Sequence, residues 1–167
     1  HFDERGAAWR DDAALARVRG ITYLGADGEL RFTGYELALP ADEVFRPEYD
    51  ILEKHSRVEN FIGDAFNRPD FITDPRTHEP HRKGKKMGTV LSAKGCVARC
   101  TFCHRWDKGF RAIPVPQIIA AVRELKTRYN VGFIQFSDEN FGSDKRQLTE
   151  FITEIKKEDV LYTVGGV

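Results

Sequence analysis

The sequence predicts an α/β fold built around a parallel sheet, and three observations carry that prediction. Short β-rich apolar runs occur at residues 87–91, 131–136 and 161–164. The two stretches between them place apolar residues at helical spacing. The connections are short, which calls for right-handed βαβ units rather than hairpins. With 41% hydrophobic and 11% aromatic residues in 167, the chain has the material for a packed core and does not read as a disordered tail.

Taken in order, residues 11–18 predict a short helix, with Asp11 and Asp12 at the end where the helix dipole favours negative charge. Residues 20–24 and 29–33 flank Ala26-Asp27-Gly28, and an Asp-Gly between two β-rich runs signals a hairpin. Pro40, Pro47, Pro69, Pro75 and Pro80 interrupt residues 34–85, where only 48–66 has helix-like spacing. This stretch predicts a connector crossing a surface. A strand follows at 87–91. Pro116 opens a helix over 117–128, with Ile118, Ile119, Val122 and Leu125 as its apolar stripe. After the strand at 131–136, Ser143 is placed to cap a helix running through Lys157. Its expected buried face is Leu148, Phe151, Ile152 and Ile155. The last strand is 161–164. Parallel sheets of this kind bind ligands beyond the C-terminal ends of their strands, and the loop after 87–91 emerges there.

Lys plus Arg and Asp plus Glu both number 26, so net charge does not favour nucleic acid or an anionic membrane as a global partner. No apolar run approaches a membrane span. Residues 76–111 do hold ten Lys or Arg against two Asp or Glu, a local surplus of eight. The basic run at 82–86 lacks interleaved aromatics, which favours a solvated connector over a nucleic-acid surface. The same charge could dock an acidic electron donor. The chain begins at His1 with no initiator Met or signal-like segment and stops in a strand-like run, so it reads as an internal piece of a longer protein.

All three cysteines, Cys96, Cys100 and Cys103, fall within eight residues. Such a clustered, odd set makes a poor disulfide framework and points to metal or redox chemistry in a reducing, cytoplasmic compartment. Thiolates spaced by four and three residues can converge on one soft metal centre. A 4Fe–4S cluster normally takes four protein thiolates. Three would leave one iron open to an exogenous ligand, as open coordination marks catalytic rather than structural zinc sites. The competing readings are a structural zinc site completed by His104 and a simple electron-carrying cluster. Adjacent residues such as Cys103 and His104 seldom bind one ion together, and zinc sites usually use two separated pairs.

The motif Cys96-x3-Cys100-x2-Cys103, with Phe102 before its last cysteine, resembles the signature of radical S-adenosylmethionine enzymes. The flanking Ser92-Ala93-Lys94-Gly95 and His104 resemble the cobalamin-binding branch of that family, as does Phe136-Ser137-Asp138-Glu139-Asn140-Phe141. The resemblance implies a partial (βα) barrel of the TIM type, about three βα strands over 87–167. Before it would lie a connector, 41–86, and a small α/β piece, 1–40, the end of a cobalamin-binding domain. It further implies that the three cysteines hold a 4Fe–4S cluster whose open iron binds S-adenosylmethionine. Cleavage of that molecule would give a 5′-deoxyadenosyl radical that abstracts hydrogen from a small-molecule or peptide substrate. Phe102 would lie against the adenine or the cluster. Ser137, Asp138 and Glu139 replace the family's Gly-Gly-Glu contact to the methionine amino group, without its two glycines. The Asp-x-His-x-x-Gly motif that ligates cobalamin in that branch is absent from the chain, so any cobalamin would be held upstream of residue 1. A flavodoxin or ferredoxin would supply the electron. Beyond the cluster ligands no catalytic residue is assigned. The competing function is a non-catalytic metal-binding module, with nucleic-acid binding through 76–111 as a variant.

Overall fold

A computed structural model describes residues 11–35, 47–103 and 109–165. The chain divides into two compact units, His1–Ala38 and Leu39–Val167. In the first, helix α1 (Asp12–Leu15) starts at Asp11, whose carboxylate accepts the Ala13 amide at 3.0 Å. Strands β1 (Thr22–Leu24) and β2 (Leu30–Phe32) pair antiparallel, with Leu24 opposite Leu30. Gly28 takes φ +81° in the turn, a conformation glycine adopts without steric cost. The Asp27 carboxylate accepts the Glu29 amide beside it. The expected short helix and hairpin are therefore both present, the helix shorter than expected.

The second unit holds a four-stranded sheet in the order β3 (Gly63–Asp64), β4 (Lys86–Val90), β7 (Val131–Phe136), β8 (Leu161–Val164). The last three are parallel, and β3 runs antiparallel on the edge. Helices α4 (Val115–Tyr129) and α5 (Lys145–Ile155) connect the parallel strands. The sheet is open, and barrel closure is not seen among the described residues.

Strand β7 is central and buried on both faces, which is why it reads as a continuous apolar run. Ile134 and Phe136 join Ile118, Ile119, Val122 and Leu125 of α4 and Phe151 and Ile155 of α5 in the main core. Phe133 points the other way, into a smaller cluster with Ala65, Phe71 and Leu161. The α4 stripe is thus wholly buried, as its spacing predicts. The helix ends at Asn130, which takes the left-handed conformation at φ 56°, as Asn tolerates at this position. Its side chain accepts Lys85 Nζ at 2.7 Å and so fixes the entry to β4.

Several expectations need correction. Asp144 rather than Ser143 caps α5, its carboxylate accepting the amides of Arg146 and Gln147 at 2.9 and 3.0 Å. The Ser143 hydroxyl instead turns back to the Asn140 carbonyl. The helix stops at Ile155, and the turn tightens into a 3-10 segment, Lys156–Glu158. Ile152 is exposed at the edge of the apolar stripe. Within 48–66, helix α2 covers only Tyr49–His55, since residues 53–57 are all exposed and offer no face to extend. A 3-10 turn, Val58–Asn60, and β3 complete that stretch. The segment 47–82 does more than cross a surface. Pro69, Pro75 and Pro80 each open a short helical turn, the first of them α3 (Pro69–Ile72), and Tyr49, Ile62, Ala65 and Phe71 enter the two cores. Arg128, near the end of α4, pairs with Asp50 and Glu53 of α2. With the Tyr129 hydroxyl, it holds the Glu53 carboxyl down to about 2.

At the opposite end of the sheet from the cysteine loop, Glu158 is buried beneath Arg123 and Lys126 of α4. Burial pushes its carboxyl up, but the bonds from Arg123 and Lys126 outweigh that and leave it below the ordinary value. A depressed carboxylate contributes stability above the unfolded value, about 4.3, and loses it as pH falls through the lower folded value. Arg123 is largely solvent-exposed, which screens the pair. Glu158→Gln is therefore expected to destabilise the fold by about 1–2 kcal/mol at pH 7. The difference should begin to shrink in urea titrations as pH falls below the unfolded carboxylate value of about 4.3.

Candidate active site at the C-terminal edge of the sheet

The chain leaves β4 at Leu91 and enters a second, separate antiparallel pair, β5 (Ala93–Gly95) with β6 (Phe110–Ala112). Ala93 lies opposite Ala112 and Gly95 opposite Phe110. The cysteines therefore sit in the loop of a hairpin whose stem starts at the C-terminal end of a parallel strand. This is the edge where such sheets take ligands. His104 lies outside the described residues.

Within the loop, Cys96 is half-buried and Cys100 and Cys103 are exposed. The Cys103 amide donates to the Cys100 carbonyl at 3.1 Å, closing a turn between the two. The Cys96 sulfur accepts the Ala98 amide at 3.4 Å and Asn140 Nδ2 at 3.7 Å. In iron–sulfur sites, N–H donors to a ligand sulfur tune the reduction potential. Among the described residues no three His, Cys, Asp or Glu side chains are close enough together to hold a metal ion. The three thiols thus share one loop and one edge without converging on a point. Their chemistry nevertheless fits a soft metal centre: only sulfur donors, two of them exposed, and one already receiving N–H donors.

Phe102 is 91% exposed, beside Cys103. Beyond β7 the chain alternates: Ser137 and Glu139 are exposed at the edge, whereas Asp138 is buried. Asp138 Oδ1 accepts the backbone amides of Ser92 and Ala93 at 2.8 and 2.6 Å. Burial raises its carboxyl, with those two amides and the Ser92 hydroxyl pulling the other way. Oδ2 is buried without a hydrogen-bond partner. Sequence reading singled out Asp138 as a carboxylate at a strand end; nothing in it indicated a bond to residues 45 and 46 positions upstream.

Two further residues were not anticipated. Asn140 reaches Cys96 from the loop after β7. Gln147, in the first turn of α5, donates through Nε2 to the carbonyls of Ser92 and Ile113, both at 2.7 Å. In sequence Gln147 looks like any polar residue on a solvent face. The expected basic surface is partly consumed internally, since Arg82 is buried against Glu79 and Asp159. Lys94 and Arg99 remain exposed beside the cysteines.

No family model matches the chain. Among curated proteins, cytidylyl-2-hydroxyethylphosphonate methyltransferase of Streptomyces wedmorensis is 24% identical over 153 residues, which are 84% of this chain and 28% of that protein. An uncharacterized methyltransferase of Pyrococcus horikoshii is 28% identical over 88 residues, 50% of this chain and 19% of that protein. Among solved structures, the apo form of the cobalamin-dependent S-adenosylmethionine radical enzyme OxsB matches with a TM-score of 0.60 at 21% identity. That match covers 91% of this chain and 19% of OxsB. The chain thus spans between 19% and 28% of the lengths of the proteins it matches. It is similar in sequence to methyltransferases and shares its fold with a portion of a cobalamin-dependent radical enzyme. No helix among the described residues is long and apolar enough to cross a membrane.

Proposed function

We propose that this chain is part of a radical S-adenosylmethionine enzyme, with Cys96, Cys100 and Cys103 as the three protein ligands of a 4Fe–4S cluster. The observation that carries this reading is the placement of all three thiols in a single hairpin loop beyond the C-terminal end of a parallel strand. The fold shared with OxsB supports it independently. Held by Cys96, Cys100 and Cys103, such a cluster would supply the electron for reductive cleavage of S-adenosylmethionine. The chain's own residues bind and orient. Asn140 and the Ala98 amide donate to Cys96 and orient its sulfur. Ser137 and Glu139 present exposed polar groups for the methionine end, and Asp138 has only Oδ2 left for a ligand. Phe102 offers its ring to the adenine or the cluster.

The names of the curated relatives favour methyl transfer as the outcome. The cobalamin dependence of OxsB favours a cobalamin held in a preceding domain, of which residues 1–40 would form the end. The exposed Lys94 and Arg99 suit an acidic flavodoxin or ferredoxin as electron donor. Anaerobic reconstitution of the full-length protein with iron and sulfide tests the ligand set. About four iron and four sulfide per chain are expected. Stoichiometric zinc with no cluster would make the loop a structural metal site instead.

A further inference from the structure

The peptide between Ser92 and Ala93 is where the chain turns out of the main sheet and into the cysteine hairpin, and it is gripped from three sides. Its own N–H, on Ala93, and the preceding N–H, on Ser92, both donate to Asp138 Oδ1, from the loop after β7. The Ser92 carbonyl accepts Gln147 Nε2 from α5 and the Ile113 amide from the far side of the hairpin stem, the latter at 2.9 Å. Gln147 Nε2 also reaches the Ile113 carbonyl, so one side-chain amide bridges the two chain segments at the base of the stem. Asp138 is only 8% exposed, and Ser92 3%. Groups this buried cannot exchange their partners for water, so losing one partner leaves the rest unsatisfied.

We propose that Asp138 and Gln147 are positioning residues that lock the direction of the cysteine hairpin against the edge of the sheet. For the metal site this rests on the radical S-adenosylmethionine reading; for the hairpin itself it does not. Neither residue need touch cofactor or substrate in this role. The latch sets where Cys96 emerges, three residues beyond Ala93, and so brings its sulfur to Asn140. It also couples the loop to α5, because an α5 displaced from the sheet would withdraw Gln147 from both segments at the base of the stem.

The test uses the full-length protein in two states. Without iron, amide hydrogen exchange is measured over residues 92–95 and, as internal reference, over 131–136. Gln147→Leu and Asp138→Ala are each expected to speed exchange at 92–95 by at least about tenfold, since a lost buried bond removes the corresponding protection. The reference strand should be unchanged. Asp138→Asn keeps the Oδ1 acceptor and is expected to stay within about threefold of the unaltered protein. After reconstitution, Asp138→Asn should retain the cluster's electron paramagnetic resonance line shape, whereas Gln147→Leu should broaden or lose it. If Asp138→Ala fails to fold, Gln147→Leu and Asp138→Asn decide the matter.

Unchanged exchange at 92–95 in Gln147→Leu would overturn the latch. So would Asp138→Asn behaving like Asp138→Ala in exchange, since the negative charge rather than the acceptor would then be required. A latch confirmed by exchange in a protein that assembles no cluster would leave the positioning of the hairpin standing and remove the radical reading. A cluster that assembles normally in every variant would confine the latch to the metal-free loop and overturn its role at the metal site.

Discussion

Cys100→Ala is expected to abolish formation of 5′-deoxyadenosine from S-adenosylmethionine by the reduced full-length protein. The loss should exceed about a hundredfold, because even residues that merely support metal ligands cost 10–100-fold when removed. Cys100 suits this test because its side chain is exposed and packs in neither core. Its replacement should leave the melting temperature of the metal-free protein unchanged. The variant therefore separates loss of a ligand from loss of the fold. Retained product would show that the loop does not hold the reacting cluster. Cys103→Ala should behave alike, whereas Cys96→Ala also removes the acceptor for Asn140 and Ala98.

The second large effect falls on the core just below the site. Phe136 is fully buried and packs edge-on against Phe151 and Tyr162, with ring centroids 5.1 and 5.8 Å away. Phe141 lies 5.5 Å from it on the same side. Phe136→Ala is expected to destabilise the fold by about 3–5 kcal/mol, through lost burial and the cavity left behind. The midpoint of urea unfolding checks this, and a loss below about 1 kcal/mol would mean that the site collapses freely and the core is not as described. Because Phe136 immediately precedes Ser137 and Asp138, the same substitution should also loosen the strand end that holds the cysteine hairpin.

What could be read in the sequence was what repeats locally. Ile118, Ile119, Val122 and Leu125 announce α4 because a single face packs on the sheet, and Pro116 marks its first turn. Strand β7 announces itself because both of its faces are covered. The cysteines are legible from their spacing. Strand β3, two residues long, has no period to detect, and its place is fixed only by pairing with Lys86 and Met87. Ser143 and Asp144 are both good caps by residue type; the choice falls on Asp144 because Ser143 is taken by the Asn140 carbonyl. Asp138 and Gln147 act through bonds spanning 34 to 55 residues, and no local pattern encodes such distances. The antiparallel β3 and the packing of 63–72 onto Phe133 and Leu161 are likewise tertiary, which is why local patterns predict only a bare parallel βα repeat.

The central claim is that three cysteines hold a cluster with one iron left for S-adenosylmethionine. Its most direct test is the electron paramagnetic resonance spectrum of the reconstituted, reduced full-length protein, recorded with and without S-adenosylmethionine. A 4Fe–4S signal whose g-values move on addition of S-adenosylmethionine, and stay put on addition of methionine-free adenosine, is the predicted result. A 4Fe–4S signal indifferent to S-adenosylmethionine, or no iron–sulfur signal at all, would contradict it.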